Sequence, residues 1–215
     1  MSIIVIDPGH GGDAKVGGSS PNNARGPSGL LEKNVTLAIA RRLVPVLQAQ
    51  GHTAILTRDG DVNIGLSARA HVARERKADA FVSIHFNGFN ARSQGTETFV
   101  HARSGAPSTA LAKLVQQFTL AVTQYTDRGV KRAEFGVLSP VQHHAGTAAC
   151  LVEVSFMDVA QEDARLGQAA YQQGIAEGLA QALQMYMTHS FAIEFDTQPM
   201  EVPEAPEDGY EELVR

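Results

Sequence analysis

An α/β fold with a mainly parallel sheet is predicted by three observations. Nearly continuous apolar runs stand at 3–6, 80–84 and 148–152, the mark of strands buried on both faces. Between them lie segments with apolar residues at helical spacing. Turns built on glycine, proline or Asn and Asp close the runs. Strands that alternate with helices need crossover connections and therefore pair in parallel.

The first strand is Ile3-Ile4-Val5-Ile6, stopped by Asp7-Pro8-Gly9. Proline has no N–H for a strand ladder, and Gly9 permits a turn closed to other residues. His10 then stands just past a buried strand, at the edge where open α/β sheets place their ligands. Residues 13–29 contain Gly17, Gly18, Pro21, Gly26, Pro27 and Gly29 and read as a loop over that edge; loops of this length inside a domain are usually functional or disordered. Glu32 opens a helix with Val35, Ile39, Leu43 and Leu47 on one face, a bend at Pro45 and a stop at Gly51. Residues 52–56 form the second strand, with 57–61 as its exit loop. A charged helix over 66–77 turns Leu66, Ala70 and Ala73 inward. The third strand, 80–84, delivers His85-Phe86-Asn87-Gly88 at its end. Residues 95–100 alternate like a half-exposed strand. Pro107 begins a helix with Leu111, Val115, Phe118 and Val122 on one face. The stretch 128–147 is mixed, with a short strand expected at 135–138. Residues 148–152 form another buried strand with Glu153 at its end, and one long helix runs over 161–187.

Beyond about residue 190 the pattern fails. Residues 194–215 hold eight acidic side chains against one basic, a net of −7, which leaves about +2 for the rest of a chain whose total is −5. The chain therefore divides into a globular domain over 1–189 and an acidic, proline-containing tail over 190–215, a segment suited to a protein partner or to folding over that domain. At 215 residues, with 43% apolar and 19% charged side chains, the composition is that of a globular domain able to bury a core. No lysine or arginine stripe points to nucleic acid, and no run approaches the length of a membrane span. Cys150, the single cysteine, lies in an apolar run and reads as an inert buried thiol. With a strand beginning almost at Met1, no signal peptide is expected; either the chain works where it is made, or it leaves by a route needing no such segment, or its signal was removed.

His10, His85 and Glu153 each follow a buried strand, so all three stand along one sheet edge, and Glu32 at a helix start reaches the same place. Two histidines and a carboxylate are a zinc set with the fourth position open to water, and a further carboxylate supplies the base that metal-assisted hydrolysis needs. The same three residue types also form the facial triad of iron oxygenases, although there a carboxylate commonly stands two residues after the first histidine, where this chain has Gly12.

The chain resembles the zinc-dependent N-acetylmuramoyl-L-alanine amidases of the family often called type 3. The resemblance is carried in order by residues 6–12 (Ile-Asp-Pro-Gly-His-Gly-Gly), 31–34 (Leu-Glu-Lys-Asn), 56–58 (Leu-Thr-Arg) with Asp61, Leu66 and Arg69, 78–87, 95–97 (Gly-Thr-Glu) and 151–156. It implies a single domain with a twisted sheet of about six strands and helices on both faces. It implies one Zn2+ held by His10, Glu32 and His85, and Glu153 as the catalytic carboxylate. It further implies peptidoglycan or its muropeptides as substrate, cut between N-acetylmuramic acid and L-alanine, and, with no signal peptide expected, a lytic enzyme made in the cytoplasm and released or delivered to the wall, or else a chain whose signal was removed. Ser155 stands where glycine is common in the family. A non-catalytic glycan-binding module on the same scaffold would have lost a ligand or the base, and none is lost.

The remaining polar residues carry simpler expectations. Asn87 binds substrate or holds its own turn. Asp7 orients a histidine ligand or stabilises its turn. Arg58, Asp61 and Arg69 form a structural ion-pair cluster. His143 and His144 lie on the surface, and His52, His71 and His101 are ordinary helix or strand positions.

Overall fold

The computed structural model describes residues 1–189, the side chain of His189 excepted. The tail expected over 190–215, and its expected partner, lie outside the described residues. Six strands form one sheet in the order β2-β1-β3-β6-β4-β5. β1 (Ile3–Pro8), β2 (Thr53–Leu56), β3 (Ala80–Asn87) and β6 (Ala148–Phe156) run parallel. β4 (Thr96–His101) is antiparallel to β6, and β5 (Asp127–Ala133) is parallel to β4. Helices α1 (Glu32–Ala49), α3 (Ala106–Thr123) and α5 (Ala169–His189) pack on one face. Among the described residues, the other face carries only α2 (Leu66–Arg76) and a 3-10 turn over Gly136–Leu138.

Strand side chains alternate between faces, and the core divides accordingly. Ile4, Ile6, Val82, Ile84, Cys150 and Val152 pack with α1, α3 and α5, whereas Val5, Phe81, Phe99 and Leu151 pack on the α2 side. The same alternation puts Asp7, Ser83, His85, Glu97 and Glu153 on the thinly covered α2 side, toward the carboxyl ends of the parallel strands. This is the platform for the site.

Four expectations are corrected. His85 and Glu153 lie within β3 and β6, not beyond them, because the strands run on past their apolar stretches as paired, buried segments. β4 is buried at all six positions because β5 covers it, so it is an interior strand and not a half-exposed one. The strand expected at 135–138 is a 3-10 turn; the sixth strand is Asp127–Ala133, a polar, cationic sequence of the kind that edge strands favour. The single last helix is two: α4 (Ala160–Leu166) ends at Gly167 before α5 begins. α4 diverges because two of its acids have separate tasks. Asp163 accepts hydrogen bonds from Ser28 N and Oγ in the long loop, and buried Glu162 accepts from Ser155, Tyr125 and Tyr171. Ser155 is thus a donor to Glu162.

The expected ion-pair cluster is redistributed. Arg69, almost fully buried, bonds to Asp7 Oδ1 and to the carbonyls of Pro8, His10 and Ile64, each at 2.8 Å. Asp61 pairs with Lys33 at 2.9 Å instead, and Arg58 donates to the carbonyls of Pro8, Gly9, Lys33 and Gly60. Among the described residues Asp7 bonds to Thr57, Ser83 and Arg69 and to no histidine. Burial opposes its charge, but Arg69, Thr57 and Ser83 outweigh burial and hold its carboxyl below the usual range. Arg69→Met should therefore cost about 3–5 kcal/mol by leaving Asp7 charged and buried, read as a fall in the urea midpoint; a shift under 1 kcal/mol would show that the pair is dispensable.

Candidate active site

Each member of the predicted metal set is positioned by a different element. His10 follows β1 in a left-handed backbone conformation (φ 61°), a strained state for a residue with a side chain. Arg69 Nη2 clamps its carbonyl, and Gly11 N bonds to Pro21 O. His85 points from β3 onto Gly9, where a Cβ would sit 2.3 Å from the ring; only glycine leaves room for the imidazole. Glu32 opens α1. Its Oε2 accepts from Ala24 N at 2.8 Å and its Oε1 from Phe86 N at 3.0 Å.

The three side chains converge. Glu32 Oε1 lies 3.1 Å from His10 Nε2 and 3.0 Å from His85 Nδ1, and one ligand atom from each residue falls within 4.8 Å of the others. Donors bound about 2.0–2.2 Å from one tetrahedral zinc stand about 3.3–3.6 Å apart, so the set fits with small adjustments. A second observation fits the same ion. His10 Nδ1 is 3.1 Å from the Ser20 carbonyl and 2.9 Å from Ser20 Oγ. A proton held on Nδ1 by that carbonyl leaves the Nε2 lone pair facing inward, and among the described residues the buried Nε2 has no hydrogen bond of acceptable geometry despite its contact with Glu32. A buried lone pair beside two other donor atoms is the arrangement of a metal ligand with its second ring nitrogen anchored.

Charges in the cluster follow from burial and proximity. Burial resists ionisation of Glu32, but His10 and His85 outweigh it and hold the carboxylate far below its usual range. Burial lowers the His10 pKa and Glu32 more than restores it, for a net rise above 6.5. His85 moves down, chiefly through burial, with His10 beside it as a further cause.

Glu153 stands in the middle of the row. It is directly across from His85 on β3 and from Glu97 on β4. It is buried, its Oε2 has no hydrogen-bond partner among the described residues, and burial together with Glu32 and Glu97 pushes its pKa well above the ordinary 4.5. Asn87, predicted at a turn, lies at the end of β3. Its Nδ2 donates to Glu97 Oε1 at 2.8 Å, while its Oδ1 is buried without a donor among the described residues.

Several contributors escaped the sequence reading. Ser20 and the Ala24 N–H come from the 13–29 loop, which is tied down by Lys33, Asn63 and Asp163. Glu97 was quoted only as part of a motif, yet it is fully buried and ion-paired to Arg128 and Lys131. His143 is buried, not on the surface; its Nε2 donates to Val137 O and its ring packs edge-on to Phe81. His144 is exposed, as expected. Cys150 is buried, with burial pushing its thiol well up.

Two buried histidines and a carboxylate around a common point, with a second carboxylate across the strand, are the donor set and base that a metal-assisted hydrolase would use, at the carboxyl edge of an α/β sheet. Likeness to known proteins narrows that class. Residues 4–185 match the sequence model of N-acetylmuramoyl-L-alanine amidases, and the chain belongs to that family. It is 35% identical over 185 residues to the N-acetylmuramoyl-L-alanine amidase CwlM of Bacillus licheniformis, covering 85% of this chain and 68% of the relative. It is 32% identical over 232 residues to amidase AmiA of Escherichia coli, covering 86% and 75%. Among solved structures, the amidase AmiC2 of Nostoc punctiforme superposes with a TM-score of 0.76 at 33% identity, covering 87% of this chain and 97% of that one. The enzyme is a peptidoglycan amidase, and the α/β fold with its six-stranded sheet is the fold of these relatives.

Proposed function

We propose that the amidase is zinc-dependent, with His10, Glu32 and His85 as the ligands and Glu153 as the proton carrier, and that it cuts the amide between the lactyl group of N-acetylmuramic acid and the first L-alanine of the stem. The observation that carries this reading is the orphaned His10 Nε2 within the Glu32–His85 cluster, with Glu153 across the strand and its Oε2 without a hydrogen-bond partner among the described residues. Bound zinc would act as a Lewis acid on water and the scissile carbonyl, and its charge would offset the repulsion that Glu32 exerts on Glu153. Glu153 takes the proton of the attacking water and returns it to the leaving amine, which cannot depart as an anion. Glu32 keeps its orientation through the Ala24 and Phe86 amides, so its ligand geometry does not depend on the two histidines. Asn87 Oδ1 offers an acceptor for a substrate N–H, with its amide group fixed by Glu97.

Digestion of purified peptidoglycan tests the reading. New alanine amino termini should appear in equal number with freed lactyl carboxyls. Chelation should abolish release, and one equivalent of zinc should restore it. Protein purified without added metal that carries stoichiometric iron and little zinc would overturn the zinc assignment.

A further inference from the structure

A second cavity lies away from the metal set, at the amino end of β6. It holds about 200 Å³ between the start of α3 and the loop that leads into β6, and Gly105, Ser108, Leu138, Pro140, His143 and Ala149 line it. One water needs only about 10–15 Å³ of such space, so the cavity has room for a chemical group. Ala149 and Leu151 pack on the α2 side of the sheet, and alternation along β6 brings Glu153 to the same side. Four residues of strand separate Ala149 from Glu153, a span of about 13 Å. The cavity and the reactive carboxylate therefore share one face of the sheet.

Two sets of polar groups in the cavity wall are unmatched. His143 is 5% exposed, its Nε2 donates to Val137 O at 2.8 Å, and its Nδ1 is buried with no hydrogen-bond partner among the described residues. Burial holds its pKa below the ordinary 6.5, so the ring is neutral at pH 7. A carbonyl only accepts, so the proton sits on Nε2 and Nδ1 is left as an acceptor. The second set opens α3. No side chain caps that helix, and the N–H groups of Gly105 and Ser108 meet no acceptor among the described residues; these are donors. An anion satisfies the donors and leaves Nδ1 unmatched. A hydroxyl bridges donor and acceptor but leaves Leu138, Pro140 and Ala149 bare. A group with an N–H, a C=O and a methyl satisfies all three parts of the wall, and an acetamido group is such a group. Peptidoglycan, on which this family acts, is built of N-acetylated sugars, the N-acetylmuramoyl unit among them. We propose that the cavity is a glycan subsite that takes the acetamido group of a sugar neighbouring the unit being cut, with its N–H on His143 Nδ1 and its C=O on the first turn of α3. The inference rests on the amidase reading and extends it from the scissile amide to the glycan strand.

The test titrates the full chain with an oligomer of N-acetylglucosamine and with the matching oligomer of glucosamine, which lacks the acetyl groups. Two hydrogen bonds lost together cost about tenfold or more in affinity, so the acetylated oligomer should bind at least that much more tightly and should shift the Gly105 and Ser108 amide resonances. His143→Phe keeps a ring against Phe81 but loses Nδ1, and should bring the preference below about threefold. It should also lower kcat/KM on intact glycan strands more than on isolated muropeptides. Should this variant fail to fold, the wild-type preference and the two amide resonances still decide. Equal binding of the two oligomers, binding of neither, unshifted amides, or the wild-type preference in His143→Phe would overturn the subsite. So would inorganic phosphate that shifts the same amides when the acetylated oligomer does not. Cleavage of neither strands nor muropeptides would overturn the amidase reading instead, and the oligomer titration would still decide the subsite.

Discussion

Glu153→Gln should lower turnover about a thousandfold or more while the protein keeps its fold and binds its metal. Amide has nearly the shape of carboxyl, and Glu153 Oε2 makes no hydrogen bond that the exchange would break. What is lost is the group that accepts and returns a proton, worth about 10²–10⁴ in rate. The substitution also carries an opposite effect on stability. Burial, Glu32 and Glu97 raise the Glu153 pKa above its ordinary 4.5. An acid with a raised folded-state pKa holds its proton when the unfolded chain has released it, so wild type loses stability as pH climbs above about 4.5. Glutamine removes that loss. Metal-free Glu153→Gln should melt higher than metal-free wild type at pH 7, with the gap closing toward pH 4. Retained catalysis would remove Glu153 from the reaction, and a variant that melts lower at pH 7 would mean that the carboxylate is not held under repulsion.

The residues proposed to bind and react were legible because each pairs a chemically specific side chain with a strong local signal. His10 follows a β-branched strand and a Pro-Gly stop, Glu32 opens a periodic helix, and His85 and Glu153 adjoin apolar runs. The strands were read as ending too early because apolar periodicity reports burial in hydrocarbon, whereas His85 and Glu153 are buried against each other across β3 and β6. β5 was invisible for a related reason: Asp127, Arg128, Lys131 and Arg132 suit an edge strand next to a buried Glu97, a non-local partner that no window of sequence contains. The support of the site was equally hidden. Ser20 anchors His10 from a loop ten residues away, and that loop is in turn held by Asp163 in α4. Asp7 was expected to orient a histidine or to stabilise its own turn, but its charged partner is Arg69, 62 residues on in the chain.

His85→Ala should lose more than about a hundredfold in zinc affinity and, with it, all measurable activity. Substitutions one layer out from a metal already cost about 10–100-fold, and this one removes a donor from a set of three. The fold should persist, because Glu32 keeps its bonds to the Ala24 and Phe86 amides, and Gly9 lies against the vacated ring position without a side chain to collapse on it. His143→Ala is the matched control. It also removes a buried imidazole packed on the α2 side of the sheet, but it lies outside the metal set, so it should cost stability without changing zinc stoichiometry. Proton competition supplies an independent signature. A histidine ligand binds metal only when neutral, and the His10 pKa is raised above 6.5 by Glu32. Zinc affinity in wild type should therefore begin to fall above pH 6.5 as acid is added, sooner than for an ordinary histidine site. Isothermal titration with zinc across pH 5–8 reads both effects. Full zinc occupancy in His85→Ala, or an affinity flat across that range, would show that the ion is held elsewhere.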